Sequence, residues 1–145
     1  MKNPTLANKS IQAVCFDLLN VMIFDVPDER MVELAASVQR VGLKTYCYSN
    51  MSRAQMEALD KQHPFLHVFA QTFFADDIGP KNEAGYEALA QKTQPMPAAN
   101  CLVIDDIEHN LTAARAAGFP TYHFFGNRAS SQALEEFLIR QGIDL

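Results

Sequence analysis

Short apolar runs alternate with amphipathic stretches along this chain, and each run stops at a polar residue. Residues 11–16 (IQAVCF) are rich in β-formers and stop at Asp17, which predicts a first strand. Two apolar bursts follow in residues 18–27. Asp28 is placed to cap a helix over 29–41, with Met31, Leu34, Ala35, Val38 and Val41 as its apolar stripe and Gly42 as its stop. Residues 43–48 predict a second strand ending at Ser49. Ser52 and Gln55 fit a capping box for the next helix, which His63-Pro64 closes. Residues 68–74 predict a third strand. Asn82 opens a helix to about Lys92, and 94–100 with its two prolines predicts a loop. Residues 101–104 predict a fourth strand ending at Asp105-Asp106, followed by a helix over 110–117 that Gly118 ends. Residues 121–125 predict a fifth strand, and 130–141 a closing helix with Leu134, Phe137 and Leu138 inward.

This alternation predicts an α/β fold: a three-layer, Rossmann-like parallel sheet of about five strands with helices on both faces. The 145 residues fit one domain (1–145), with 1–10 as a polar N-terminal tail. A chain of this length buries roughly 68–70% of its unfolded surface and needs no staple. No apolar stretch approaches the ~18 residues of a membrane span. A net charge of −5 argues against nucleic acid or an anionic membrane as partner. Cys15, Cys47 and Cys101 are scattered inside apolar runs without a CxxC pair, which predicts buried, reduced thiols. A cytoplasmic location is the resulting expectation.

In parallel sheets ligands bind beyond the carboxyl ends of the strands. Those ends offer Asp17, Ser49-Asn50 and the pair Asp105-Asp106, with Lys81 at the head of the helix after strand three. A carboxylate can attack phosphorus and become an aspartyl-phosphate. Further carboxylates hold a divalent cation, while a hydroxyl and an ammonium balance the phosphoryl charge. Oxygen-only ligands suit Mg²⁺. The four histidines form no zinc pattern; His109 is expected on a solvated helix face. Phe65, Phe69, Phe73 and Phe74 are expected in the core, the other reading being an exposed partner surface.

The run AVCFDLLNVMI resembles the first motif of the haloacid dehalogenase-like (HAD) hydrolases, an apolar strand followed by Asp-x-Asp-Gly-Thr/Val. CYSN resembles their second motif, IGPKNEAGYEALAQK the third and NCLVIDDIEHNLTAARAAGF the fourth, in the same order from about residue 11 to 125. The resemblance implies a capless Mg²⁺-dependent phosphatase acting on a small phosphorylated substrate or a phosphoprotein. It implies Asp17 as nucleophile and metal ligand, Asp106 and the Leu19 backbone carbonyl as further ligands, and Asp105 as another ligand or the neighbour that orients Asp106. Ser49 and Asn50 would bind phosphate, and Lys81 would stabilise both Asp17 and the transferred group. Asn110 falls where some relatives place another carboxylate. A homodimer stays open.

Leu19 departs from the motif, which has Asp there to protonate the leaving group and then activate water. Loss of that help costs about 10²–10⁴-fold in rate. Asn20 stands in for the usual Gly and tolerates positive φ. The stretch between Asp17 and Ser49 is too short for an inserted cap domain, which also argues against dehalogenation. Three readings stand: a weakened phosphatase, an impaired relative that binds phosphate, metal or protein, and a phosphorelay receiver. The receiver pattern puts its acidic pair after the first strand, whereas here the pair comes after the fourth.

Overall fold

The computed structural model describes residues 10–127 and 129–145. The expected tail over 1–10 lies outside them except for Ser10. Five parallel strands form the main sheet: β1 (Ala13–Phe16), β4 (Lys44–Ser49), β5 (Gln71–Phe74), β6 (Cys101–Asp105) and β7 (Thr121–His123). Their spatial order is β5-β4-β1-β6-β7. Main-sheet strands three, two and one run outward to one side, and strands four and five to the other. A receiver-type sheet has the order 2-1-3-4-5, so the topology excludes that reading.

The sheet is covered on both faces because β1 alternates its side chains between two cores. Val14 and Phe16 join Met31, Leu34, Ala35 and Val38 of α1 (Glu29–Arg40), Met56 of α2 (Arg53–Gln62), and Leu134 and Leu138 of α6 (Ser130–Arg140). Ala13 and Cys15 face Tyr86 and Leu89 of α4 (Glu83–Lys92), and Leu111 and Ala114 of α5 (Glu108–Ala116). Burial of each large side chain is worth about 1.5–3 kcal/mol. The Asp28 cap on α1, which accepts from the Met31 N–H at 3.0 Å, contributes about 1 kcal/mol. Packing therefore decides that α1 forms, and the cap decides where it starts. The Ser52–Gln55 capping box forms at α2 as expected. The thiols are buried, and burial pushes those of Cys47 and Cys101 up to about 12.

Several boundaries differ from expectation. Residues 68–74 are not one strand. Leu66–Val68 is a 3₁₀ turn, wound by the Asp60 carboxylate, which accepts the N–H groups of Phe65 and Leu66 at 2.8 and 2.9 Å. Only Gln71–Phe74 pairs with β4, and a short helix α3 (Ala75–Ile78) follows. The four phenylalanines are buried. Helix α5 begins at Glu108 rather than 110, because the Asp105 side chain accepts the Ile107 N–H at 2.9 Å and turns the chain at once. Strand β7 ends at His123, two residues early, as the chain bends toward Gly126 at φ 76°.

The apolar bursts after Asp17 form a small hairpin, β2 (Ile23–Phe24) and β3 (Val26–Pro27). The Leu18 carbonyl accepts from the N–H groups of Val21, Met22 and Ile23, which winds the chain tightly just past β1. Asn20 sits at φ 66° and Asp25 at φ 77°, a left-handed backbone that Asn and Asp adopt more readily than most residues. This hairpin and α1 are the only regular elements between β1 and β4.

Candidate active site

The strand order reverses between β1 and β6, and ligand crevices form at such a switch point. Asp17 directly follows β1, and Asp105 ends β6. The register Phe16↔Ile104, extended by one residue, places the two aspartates side by side. The Asp17 N–H donates to the Ile104 carbonyl at 2.9 Å, so the backbone beneath the pair is held by the sheet itself. Two adjacent buried carboxylates repel each other and resist ionisation.

Lys81 relieves that repulsion. Its Nζ donates to Asp17 Oδ1 and to Asp105 Oδ2, each at 2.6 Å. All three side chains are at least nine-tenths buried. Burial still pushes Asp17 up to about 7, with the Lys81 charge opposing the shift and the Asp105 charge adding to it. Burial alone would lower the Lys81 ammonium, but the two carboxylates outweigh it and hold it above its ordinary value. Such strongly perturbed groups concentrate at functional sites.

The lysine comes from the loop before α4, and three contacts aim it. The Tyr48 hydroxyl sits within 2.7 Å of the Gly79 carbonyl and 2.9 Å of the Pro80 carbonyl, with one proton to share between them. The Asn50 side chain accepts the Lys81 N–H at 2.8 Å. Asn82 caps α4 by accepting the Gly85 N–H at 2.8 Å. Gly85 lets these parts meet: a Cβ there would lie 2.1 Å from the Pro80 oxygen and 2.3 Å from the Tyr48 hydroxyl. Tyr48 and Gly85 were not among the residues expected to matter. A glycine inside a helix costs stability relative to alanine, and that was the available signal for Gly85.

The other expected residues gather nearby. Oxygens of Asp17, Asp105 and Asp106 lie within 4.8 Å of one another. Asp106 Oδ1 is buried with no hydrogen-bond partner among the described residues. An orphaned buried carboxylate oxygen is costly, and its place beside two more carboxylates fits a hard cation such as Mg²⁺. Asn110 Nδ2 lies 3.4 and 3.3 Å from the two Asp105 oxygens, so it positions that carboxylate. Ser49 is buried at the end of β4, its Oγ accepting the Met51 N–H at 3.0 Å. His109 is exposed on α5, as expected. Leu19 is 46% exposed and bridges to Ile23, so no ionisable side chain stands two residues past Asp17. A separate cleft lined by Phe24, Arg30, Phe124 and Ser131 includes none of the three aspartates.

No family model and no curated protein matches this chain. Solved structures do. A predicted HAD-like family hydrolase from Porphyromonas gingivalis superimposes with a TM-score of 0.77 at 13% identity, covering 89% of this chain and 98% of that one. A HAD-superfamily hydrolase from Ehrlichia chaffeensis gives 0.74 at 11% identity, over 92% and 98%. The 3-deoxy-D-manno-octulosonate 8-phosphate phosphatase of Moraxella catarrhalis, in complex with magnesium, phosphate and its sugar, gives 0.63 at 13% identity, over 97% and 93%. These superpositions show that the fold of this chain is that of the HAD-superfamily hydrolases.

Proposed function

We propose that this domain, 1–145, is a phosphatase that works through an aspartyl-phosphate on Asp17, with Mg²⁺ as cofactor. The observation that carries the reading is Lys81 Nζ, 2.6 Å from both Asp17 and Asp105 at the point where strand order reverses. The phosphatase from Moraxella catarrhalis, bound to magnesium and phosphate, supports a small phosphorylated substrate; a phosphoprotein would need the same centre.

Asp17, Asp105, Asp106 and the Leu19 carbonyl would hold the metal. When bound, Mg²⁺ would supply positive charge that keeps Asp17 ionised and neutralises phosphoryl oxygens. An Asp17 oxygen attacks phosphorus, the Asp17–phosphorus bond forms, and the bond to the leaving oxygen breaks. Lys81 balances charge on the group in transfer, while the Ser49 hydroxyl and the Asn50 N–H hold its oxygens. Water then attacks phosphorus, releases phosphate and restores Asp17. Leu19 can neither protonate the leaving oxygen nor activate that water. Substrates with good leaving groups, such as acyl and aryl phosphates, are therefore the ones turned over. If even these resist, the centre serves as a phosphate- or metal-binding module, a reading that the missing acid at Leu19 favours.

Hydrolysis of acetyl phosphate and 4-nitrophenyl phosphate with Mg²⁺ tests the proposal. The expected result is slow turnover, abolished in Asp17→Asn and raised about 10²–10⁴-fold toward alkyl phosphates in Leu19→Asp. Absence of turnover in both the native chain and Leu19→Asp would overturn it.

A further inference from the structure

Leu19, Ile107 and Phe125 are large apolar side chains left 46%, 49% and 75% exposed. Each follows a different strand at the carboxyl edge: β1, β6 and β7, which are neighbours in the sheet. They thus stand on the rim of the carboxylate centre. Ile107 is tied to it directly, through its N–H to Asp105 Oδ1. The Phe125 end is tied by His123, whose Nε2 lies 3.1 Å from the Asp106 carbonyl. It is tied again by Gly126, where a Cβ would lie 3.4 Å from the Asn20 oxygen. The chain after β7 therefore leans back toward the turn that follows Asp17.

Phe125 is held flat. Its ring stacks on His123 with centroids 4.4 Å apart and an interplanar angle of 8°. The His123 ring covers one face, and among the described residues the side chain as a whole stays 75% exposed. A ring already ordered loses little freedom when something stacks on it. Neighbouring strands lie about 4.8 Å apart, so β7 is roughly 10 Å from β1, the reach of a two-ring group attached to phosphate.

Resting on the phosphatase reading above, we propose that Phe125, with Leu19 and Ile107, selects phosphate compounds whose leaving group is flat and aromatic. The residue that replaces the general acid then contributes to an apolar seat. Aryl leaving groups also need protonation least, so the rim and the missing acid favour the same substrates.

The test is calorimetric binding of 2-naphthylmethylphosphonate and methylphosphonate, with Mg²⁺, to the full chain. The naphthyl compound should bind about tenfold more tightly. The ratio should fall near one in Phe125→Ala, and persist in Phe125→Tyr and in the remote Ile139→Ala. Equal affinities in the native chain, or an unchanged ratio in Phe125→Ala, would overturn the inference. Acetyl phosphate turnover, assayed in both the native chain and Leu19→Asp, separates the two ideas. Turnover without naphthyl preference overturns the inference alone. Preference without turnover supports it and sinks the phosphatase. Neither phosphonate binding and no turnover overturns both.

Discussion

The Asn50 side chain accepts the backbone N–H of Lys81 at 2.8 Å, so the residue after β4 decides where the lysine side chain begins its reach. From there Nζ spans Asp17 and Asp105, and the centre behaves as one unit of three buried charges. Removing Lys81 leaves both carboxylates unpaired, which is more damaging than the pairing is stabilising.

Lys81→Met keeps the volume and deletes the charge. It should destabilise the fold by about 3 kcal/mol at alkaline pH. The sign with pH follows from Asp17, whose folded value is already raised to about 7 and rises further without the ammonium. Protonation of Asp17 relieves its repulsion with its neighbour, so the deficit should shrink as pH falls toward about 6. Urea unfolding of both chains across this range measures it; a deficit that grows with acidity would contradict the charge argument.

Gly85→Ala places a methyl group 2.1 Å from the Pro80 oxygen. Overpacking of this kind costs about 1–3 kcal/mol, and relief requires the Lys81 loop to move. Both stability and any turnover should fall. Adding Tyr48→Phe should not rescue the variant, because the clash with the backbone oxygen remains. Denaturant midpoints for the single and double variants decide this.

Mg²⁺ should raise the thermal midpoint, since a ligand that binds only the folded state stabilises it. At a hundredfold excess over Kd the gain is about 2.7 kcal/mol, roughly 5–10 °C for a domain of this size. Asp106→Asn should cancel most of the gain, because the orphaned Oδ1 is the acceptor that lacks a partner among the described residues. Thermal scans with Mg²⁺ and with a chelator provide the comparison.

Asp77 tests a structural pair away from the site. Its Oδ2 accepts from Arg53 Nη2 at 2.6 Å and from the Phe74 N–H at 3.0 Å, and the Arg53 hydrogen bond holds the carboxyl below its ordinary value. A depressed carboxylate stabilises the fold above its unfolded value of 3.8 and loses that contribution as pH falls through the folded value. Asp77→Asn should therefore cost about 0.5–1 kcal/mol at neutral pH, after allowance for solvent screening, and progressively less as pH falls below 3.8. A difference that is independent of pH would point to packing instead.

Much of this architecture was legible in one dimension. Apolar runs ending in Asp17, Ser49 and Asp105 specified strands and their polar tips, because a strand buried on both faces must be apolar until it leaves the sheet. The caps Asp28, Ser52 and Asn82 were legible because capping is a local geometry of a few residues. Where the signal was local but ambiguous, the reading failed. Residues 68–74 looked like one strand until the Asp60 carboxylate wound the first part into a turn. The bursts in 18–27 carried no hint of a hairpin held on the Leu18 carbonyl.

Alone, then, the sequence determined an alternating parallel α/β fold, the list of polar groups at its carboxyl edge, and the absence of an acid at Leu19. Tertiary structure alone decided that Lys81 bridges Asp17 and Asp105, that Asn110 steadies Asp105, and that Tyr48 and Gly85 shape the lysine loop. It also decided that Leu19, Ile107 and Phe125 share one rim. The physical reason is range. Propensity, capping and periodicity act over a few residues, whereas all of these contacts except the local Asn110–Asp105 pair join groups far apart in the chain, and only the strand order and register of the sheet bring them together.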